Sequence, residues 1–222
     1  AWRLHALSRS GVWAAAISGG LIFGLGGWPW AVLLLTFFIS SSLLSRAFAR
    51  RKAVFNEKFS KGSQRDAGQV LANGGLGAAL VIIHTWRPDL AWPWWAFAGA
   101  MAAVNADTWA TELGVLSKSL PRMITNGKPV DRGTSGGISA LGTLAAFGGA
   151  LLIGALAGII PPATWQLIFA ATIGGLLGSL FDSFLGATFQ AIYYCPTCQK
   201  ETERYPVHLC GTETTLKRGW PW

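Results

Sequence analysis

The residues best suited to chemistry are acids, a basic loop and a run of small residues gathered in one stretch of chain. Asn105, Asp107, Thr108 and Glu112 are followed by Arg122, Lys128 and Arg132, and then by Gly133-Thr134-Ser135-Gly136-Gly137. These are the parts needed to hold a metal-bound polyphosphate. Carboxylates would bind Mg²⁺, the basic loop would neutralise phosphate oxygens, and a glycine-rich turn opening a helix would offer backbone N–H groups. The string is not a Walker A loop, because G-x-x-x-x-G-K-[ST] occurs nowhere in the chain. An ordinary helix start with Thr134 or Ser135 as N-cap would use the same turn residues.

Helical geometry limits how the acids act together. At about 100° per residue, Asn105, Thr108 and Glu112 cluster within about 60°, while Asp107 and Thr111 lie far around the helix. Asp107 and Glu112 therefore cannot chelate one ion from a regular helix. Either they serve two sites, or the helix is broken between Asn105 and Thr111. A third acid, Asp182, stands midway between Gly178 and Gly186, on a stripe where helices can approach closely. It is expected to face Asp107 or Glu112 across a helix bundle.

Two further groups stand out. In Lys61-Gly62-Ser63-Gln64-Arg65-Asp66-Ala67-Gly68-Gln69, followed by Asn73-Gly74-Gly75, the residues Asp66, Gln69, Asn73 and Gly77 share one helical stripe. Such a polar seam either lines a cavity or packs on a partner helix through hydrogen bonds. Near the end, Cys195, Cys198, His208 and Cys210 give the spacing C-x₂-C-x₉-H-x-C. These are all three cysteines of the chain, an odd number that cannot close into disulfides, and a tetrahedral structural zinc site suits them; inert or redox thiols are the alternative.

The elements that must position these residues follow from composition. Only 13% of the 222 residues are charged, 51% are hydrophobic, and 12 Trp and 12 Phe stand against 3 Tyr. Mean hydropathy is +0.40. A soluble enzyme, a disordered tail and a disulfide miniprotein all fit badly, which leaves a polytopic membrane protein. Charge-poor runs predict an all-α bundle of about six spans: Gly11 to Gly27, Trp30 to Ser45, Ala67 to Trp86, Trp92 to Leu116, Ser135 to Ile160 and Thr164 to Tyr194. The first two would form a tight hairpin at Trp28-Pro29-Trp30. No cleavable signal peptide is visible at the start.

Charge placement tests that arrangement. The net charge is +8, and 17 of the 18 Lys and Arg fall in four places: before the first span, between Arg46 and Arg65, between Lys118 and Arg132, and between Lys200 and Arg218. Arg87 alone lies in the opposite loops. Basic residues gather on the cytoplasmic side of short loops, so both termini are expected inside, and the basic excess needs no nucleic acid to explain it. Ionisable groups at membrane depth mark substrate, ion or metal sites, which makes Asp107, Glu112 and Asp182 candidates rather than accidents. The domain plan is then a transmembrane domain over 1–194 and a cytoplasmic Cys/His tail over 195–222.

The chain resembles the integral-membrane family that includes the phytyl-phosphate kinase of tocopherol synthesis and the animal transmembrane protein 19. The likeness rests on the stretch from Lys61 to Gly75, on Asn105 to Gly114, on Gly133 to Ser139 and on Gly178 to Ala187. It implies a layout similar to that of polyprenol kinases and phosphatidate cytidylyltransferases, which use cytidine nucleotides with Mg²⁺. Asn105, Asp107, Thr108 and Glu112 would then contact nucleotide and metal, and Gly133 to Gly137 would form the phosphate turn. The resemblance also implies a final Asn-Asp-containing helix beyond the Cys/His segment, which these 222 residues do not include.

The expected activity is phosphoryl transfer from a nucleoside triphosphate, CTP, to an isoprenyl monophosphate such as phytyl or geranylgeranyl phosphate. Asp107, Glu112 and Asp182 would hold Mg²⁺, with Lys128 and Arg132 as catalytic cations. Arg122 and the turn would bind nucleotide phosphates, and Lys61, Ser63, Arg65, Asp66 and Asn73 would bind the lipid phosphate. Phosphate is already a nucleophile and needs no strong base, which suits a chain lacking a nucleophile paired with histidine. A transporter or flippase for an anionic lipid or phosphorylated metabolite is the alternative, but no internal repeat supports it.

Overall fold

A computed structural model describes residues 7–48, 65–160 and 164–221. Five helices and two small sheets make up this part of the chain: α1 (Arg9–Ala47), α2 (Ala67–Trp86), α3 (Trp92–Gly114), β1 (Arg122–Met123), β2 (Gly137–Ile138), α4 (Ala140–Ile159), α5 (Trp165–Thr188), β3 (Ile192–Cys195), β4 (Lys200–Thr202) and β5 (Thr215–Arg218). The protein is therefore mostly helical rather than all-α. The sheet of the tail, in the order β4-β3-β5 with antiparallel pairing, is the part that the apolar runs did not announce.

By length and composition, α1, α2, α4 and α5 can each cross a membrane. The 39-residue α1 is bent at Gly27, whose φ of 69° and ψ of −163° leave the helical region. A Cβ on Gly19 would lie 3.9 Å from Leu34 Cδ2. Along a straight helix those residues would stand about 22 Å apart, so the two arms fold back on one another. The reversal falls at Gly27, one residue before the expected Trp28-Pro29-Trp30 turn, since only glycine takes that φ freely and Pro29 then suits the start of the second arm.

Helix α3 is the least apolar of the five and sits at the centre, packed against each of the other four. Its neighbours shield it, so it can carry Asn105, Asp107 and Glu112 where a lipid-facing helix could not. The core runs from Ile22, Trp30 and Phe37 of α1 through Phe97, Met101 and Ala106 of α3 to Ala150, Ile153 and Ala171 of α4 and α5. Small residues set the spacing: a Cβ on Gly175 or Gly178 would come within 2.7 or 2.8 Å of Ala102 or Ala103. The stripe that carries Asp182 is thus the close seam between α5 and α3.

Helix starts follow local hydrogen bonding. Asp66 Oδ1 accepts from Gln69 N at 2.9 Å while Gln69 Oε1 accepts from Asp66 N at 3.1 Å, a reciprocal cap that spends the polar end of the expected seam on α2 itself. Ser139 Oγ accepts from Gly142 N, so α4 begins at Ala140. The glycine-rich run before it is not a helix start with Thr134 or Ser135 as cap. It forms a turn and then β2, which pairs with β1 across the basic loop. Likewise the sixth expected span stops at Thr188, short of Tyr194, because β3 takes over.

Candidate functional site

The glycine-rich turn, α3 and α5 enclose a cavity of about 190 Å³. Asp107 and Thr111 line it from α3, Asp182 and Ser183 from α5, and Gly133 to Gly137 from the turn. Arg132 and Glu203 complete its polar wall. Helix α3 is regular from Trp92 to Gly114, so the acids resolve into two sites rather than one broken helix.

Asp107 and Asp182 make no hydrogen bond or ion pair among the described residues. Two carboxylates left without a hydrogen-bond partner on one cavity wall suit a cation, since unpaired charge away from bulk water is costly. Arg132 lines the same cavity. Its Nη2 donates to the carbonyls of Ser117 and Lys118 at 2.8 and 3.0 Å, while its Nε is buried without a partner. The guanidinium is thereby anchored from behind with donor capacity unused, an arrangement suited to an anion entering the cavity. Oxygen donors from two helices suit a hard divalent cation such as Mg²⁺.

The turn is shaped by packing. Gly136 has a φ of 81°, and a Cβ there would lie 2.5 Å from Ala187 Cβ. Ser135 hydroxyl is hydrogen-bonded to Gln190 Oε1, Gln190 Nε2 donates to Glu203 Oε1 at 3.0 Å, and Arg218 Nη2 donates to Ser135 O at 2.9 Å. Arg218 Nη1 also donates to the last carbonyls of α5, those of Gly186 and Ala187. Gln190, Glu203 and Arg218 were not singled out from sequence. Their one signal, position in the tail just after an acid-bearing helix, does not distinguish them from surface residues.

The other expected residues lie elsewhere. Glu112 is buried outside the cavity, where Ser45 Oγ donates to its Oε1 at 2.7 Å and the Arg65 charge is close. Arg65 also stacks 5.3 Å above the Phe37 ring. Asn105 is fully buried, taking a hydrogen bond from Ser40 Oγ at 2.9 Å and giving one to Gly149 O at 2.8 Å. Thr108 hydroxyl donates to Val104 O within α3. Arg122 donates to Gly127 O in the exposed β1–β2 loop, which also carries Lys128. Asn73 is half-buried on α2; Lys61 and Ser63 lie outside the described residues.

In the tail, one ligand atom each from Cys195, Cys198, His208 and Cys210 lies within 4.8 Å of the others. Cys195 and Cys210 sulfurs are 3.5 Å apart and His208 Nδ1 is 3.3 Å from Cys210 Sγ. Tetrahedral zinc with bonds of about 2.3 Å separates its sulfur ligands by about 3.8 Å, so this cluster is of a size to bind a metal such as zinc. Hydrogen bonding with Thr212, and then with His208, lowers the Cys210 thiol to about 5. Cys198, hydrogen-bonded with Cys210, is pushed up to about 11.

Comparison with known proteins places this arrangement in a family. The model described as integral membrane protein DUF92 matches residues 1–222, and the chain belongs to that family. It is 33% identical to Protein PGR of Arabidopsis thaliana over 214 residues, covering 84% of this chain and 74% of that one. It is 35% identical over 184 residues to an uncharacterised membrane protein of Methanocaldococcus jannaschii, covering 83% and 75%. A Synechocystis membrane protein is 26% identical over 179 residues, covering 79% and 69%. No solved structure matches.

Proposed function

We propose that this chain is a membrane kinase that transfers the terminal phosphoryl group of a nucleoside triphosphate, CTP, to an isoprenyl monophosphate such as phytyl or geranylgeranyl phosphate. The observation that carries the reading is the meeting of Asp107, Asp182, Arg132 and the Gly133–Gly137 turn in one cavity. A divalent cation held by the two carboxylates would neutralise phosphate oxygens and bring donor and acceptor together. Arg132 would take charge from the transferring group through the donor it leaves unused, and backbone N–H groups of the turn would orient the nucleotide phosphates.

The acceptor lipid would approach from the membrane surface, where Arg65, Asp66 and Asn73 of α2 and its start, with Lys61 and Ser63, would draw in its phosphate head group before it joins the nucleotide at the cation. Lys128, exposed on the β1–β2 loop, and Arg122, exposed on β1, would attract nucleotide before it enters. In this reading the two arms of α1, with α2 to α5, make six spans, both termini are cytoplasmic, residues 1–194 form the membrane domain and 195–222 the Cys/His tail.

Purified protein in detergent, Mg²⁺, radiolabelled CTP and a panel of prenyl monophosphates tests this directly. Labelled prenyl diphosphate is the expected product. Its absence across nucleotides and chain lengths, with the protein folded, would replace the kinase with the transporter reading.

A further inference from the structure

Among the described residues, Glu203 is the one acid that reaches the Asp107 and Asp182 cavity from the tail rather than from a helix of the bundle. Its placement is built rather than incidental. Strand β3 leaves α5 and ends at Cys195, the Cys195–Cys198 turn leads into β4, and Glu203 follows the last β4 residue, Thr202, which is buried. Gln190 Nε2 donates to the Glu203 carboxylate while Gln190 Oε1 accepts from the Ser135 hydroxyl, tying the acid to the turn. On the far side of the sheet, Arg218 of β5 fastens the tail to Ser135, Gly186 and Ala187.

We propose that Glu203 is a third carboxylate ligand of the divalent-cation site in this cavity, and that metal bound by Cys195, Cys198, His208 and Cys210 holds it there. The chemistry requires three things. The cavity must hold a cation, which the unpartnered Asp107 and Asp182 supply a reason for. A hard cation takes several oxygen ligands, and Glu203 is the remaining anionic one on the wall. The segment bearing it must be fixed, because a three-stranded sheet this small is marginal even with the Arg218 and Gln190 contacts, and the four-ligand cluster closes both the β3–β4 turn and the 208–210 loop. The inference rests on the proposed cation site, deepening it, and does not depend on which substrate is phosphorylated.

The test is Mn²⁺ binding to the full chain in detergent, followed by electron paramagnetic resonance without nucleotide. Glu203→Gln keeps the oxygen that accepts from Gln190, so the tail stays docked and only the charge is lost. Mn²⁺ affinity should fall on the order of tenfold or more, Glu203→Asp should recover part of it, and Glu213→Gln, an exposed acid of the same tail, should leave it unchanged. Stripping zinc with a chelator should lower Mn²⁺ affinity in the wild type, with recovery on zinc return, and add little in Glu203→Gln. Mn²⁺ binding that needs Asp107 but ignores Glu203 overturns the proposal and leaves the kinase reading standing. Dependence on Glu203 without phosphoryl transfer overturns the kinase reading alone. A wild type that binds no Mn²⁺ overturns both.

Discussion

Asp107 on α3 and Asp182 on α5 line the same cavity, and neither carboxylate has a hydrogen-bond partner among the described residues. Glu112, one and a half turns further along α3, is instead satisfied in part by Ser45 of α1. Acids that look equivalent in sequence are thus separated by helix phase into an open site and a packed one.

The first prediction follows from that separation. Asp107→Asn and Asp182→Asn should each lower phosphoryl transfer by about 10² or more, with the nucleotide KM raised through lost metal. Glu112→Gln should act mainly through α1 packing and Arg65, so its effect should appear in the KM for lipid phosphate. Steady-state kinetics with each substrate varied separates the two patterns; equal losses in kcat for all three acids would contradict the two-site geometry.

Much of this geometry was legible in residue types and phase. The α1 turn, the apolar helices and the Cys/His spacing follow from local chemistry, and the 100° rule leaves only two sites or a broken helix for Asp107 and Glu112, which the regular α3 decides. What was not legible depends on long-range contact. Asn105 reads as a site residue because it is polar within a span, yet its amide is used between Ser40 and Gly149. Thr134 and Ser135 are open to a second reading as helix caps, yet Ser139 takes that part and leaves the turn free to meet Ala187. Glu203 and Arg218 have no local pattern at all, since their work depends on where β3 turns the chain.

The glycine turn gives a second prediction. Gly136→Ala must both strain a φ of 81° and displace Ala187, whereas a Cβ on Gly127, φ 67°, meets nothing within 4 Å. Gly136→Ala should therefore cost more than the roughly 1–3 kcal/mol of backbone strain that Gly127→Ala shares. Thermal unfolding in detergent should rank the two in that order, and transfer activity should be lost only with Gly136→Ala.

Metal content is a third. Intact protein prepared without chelator should carry about one zinc per chain, and serine at Cys195, Cys198 or Cys210, or alanine at His208, should release it. The helices should still insert, because their backbone hydrogen bonds close within each segment. Inductively coupled plasma analysis finding no zinc in the intact protein would contradict the assignment.

Topology supplies a fourth. Arg87, which bridges to Asp89 at 3.0 Å in the α2–α3 loop, should lie on the opposite side of the membrane from Lys128 and Lys200. Single cysteines placed at these positions in a background whose native cysteines are masked should be labelled from opposite faces of sealed vesicles. Labelling of Arg87 and Lys128 positions from one face would remove the six-span arrangement.

The last prediction concerns Asn105. Its side chain is fully buried and engaged at both ends, by Ser40 Oγ and by Gly149 O, and Ser40 Oγ also accepts from Trp109 Nε1 at 3.3 Å. The residue therefore joins α1, α3 and α4 at one point. Truncation to alanine leaves the Gly149 carbonyl and the Ser40 hydroxyl short of a partner in a water-poor interior. Interhelical hydrogen bonds of this kind contribute about 0.6 to 2 kcal/mol each, so Asn105→Ala should lower the unfolding temperature measurably. It should leave the KM for nucleotide near the wild-type value, since no atom of Asn105 lines the cavity. A variant with normal stability and a nucleotide KM raised tenfold would show that Asn105 turns from packing to substrate, and that the helices rearrange when nucleotide binds.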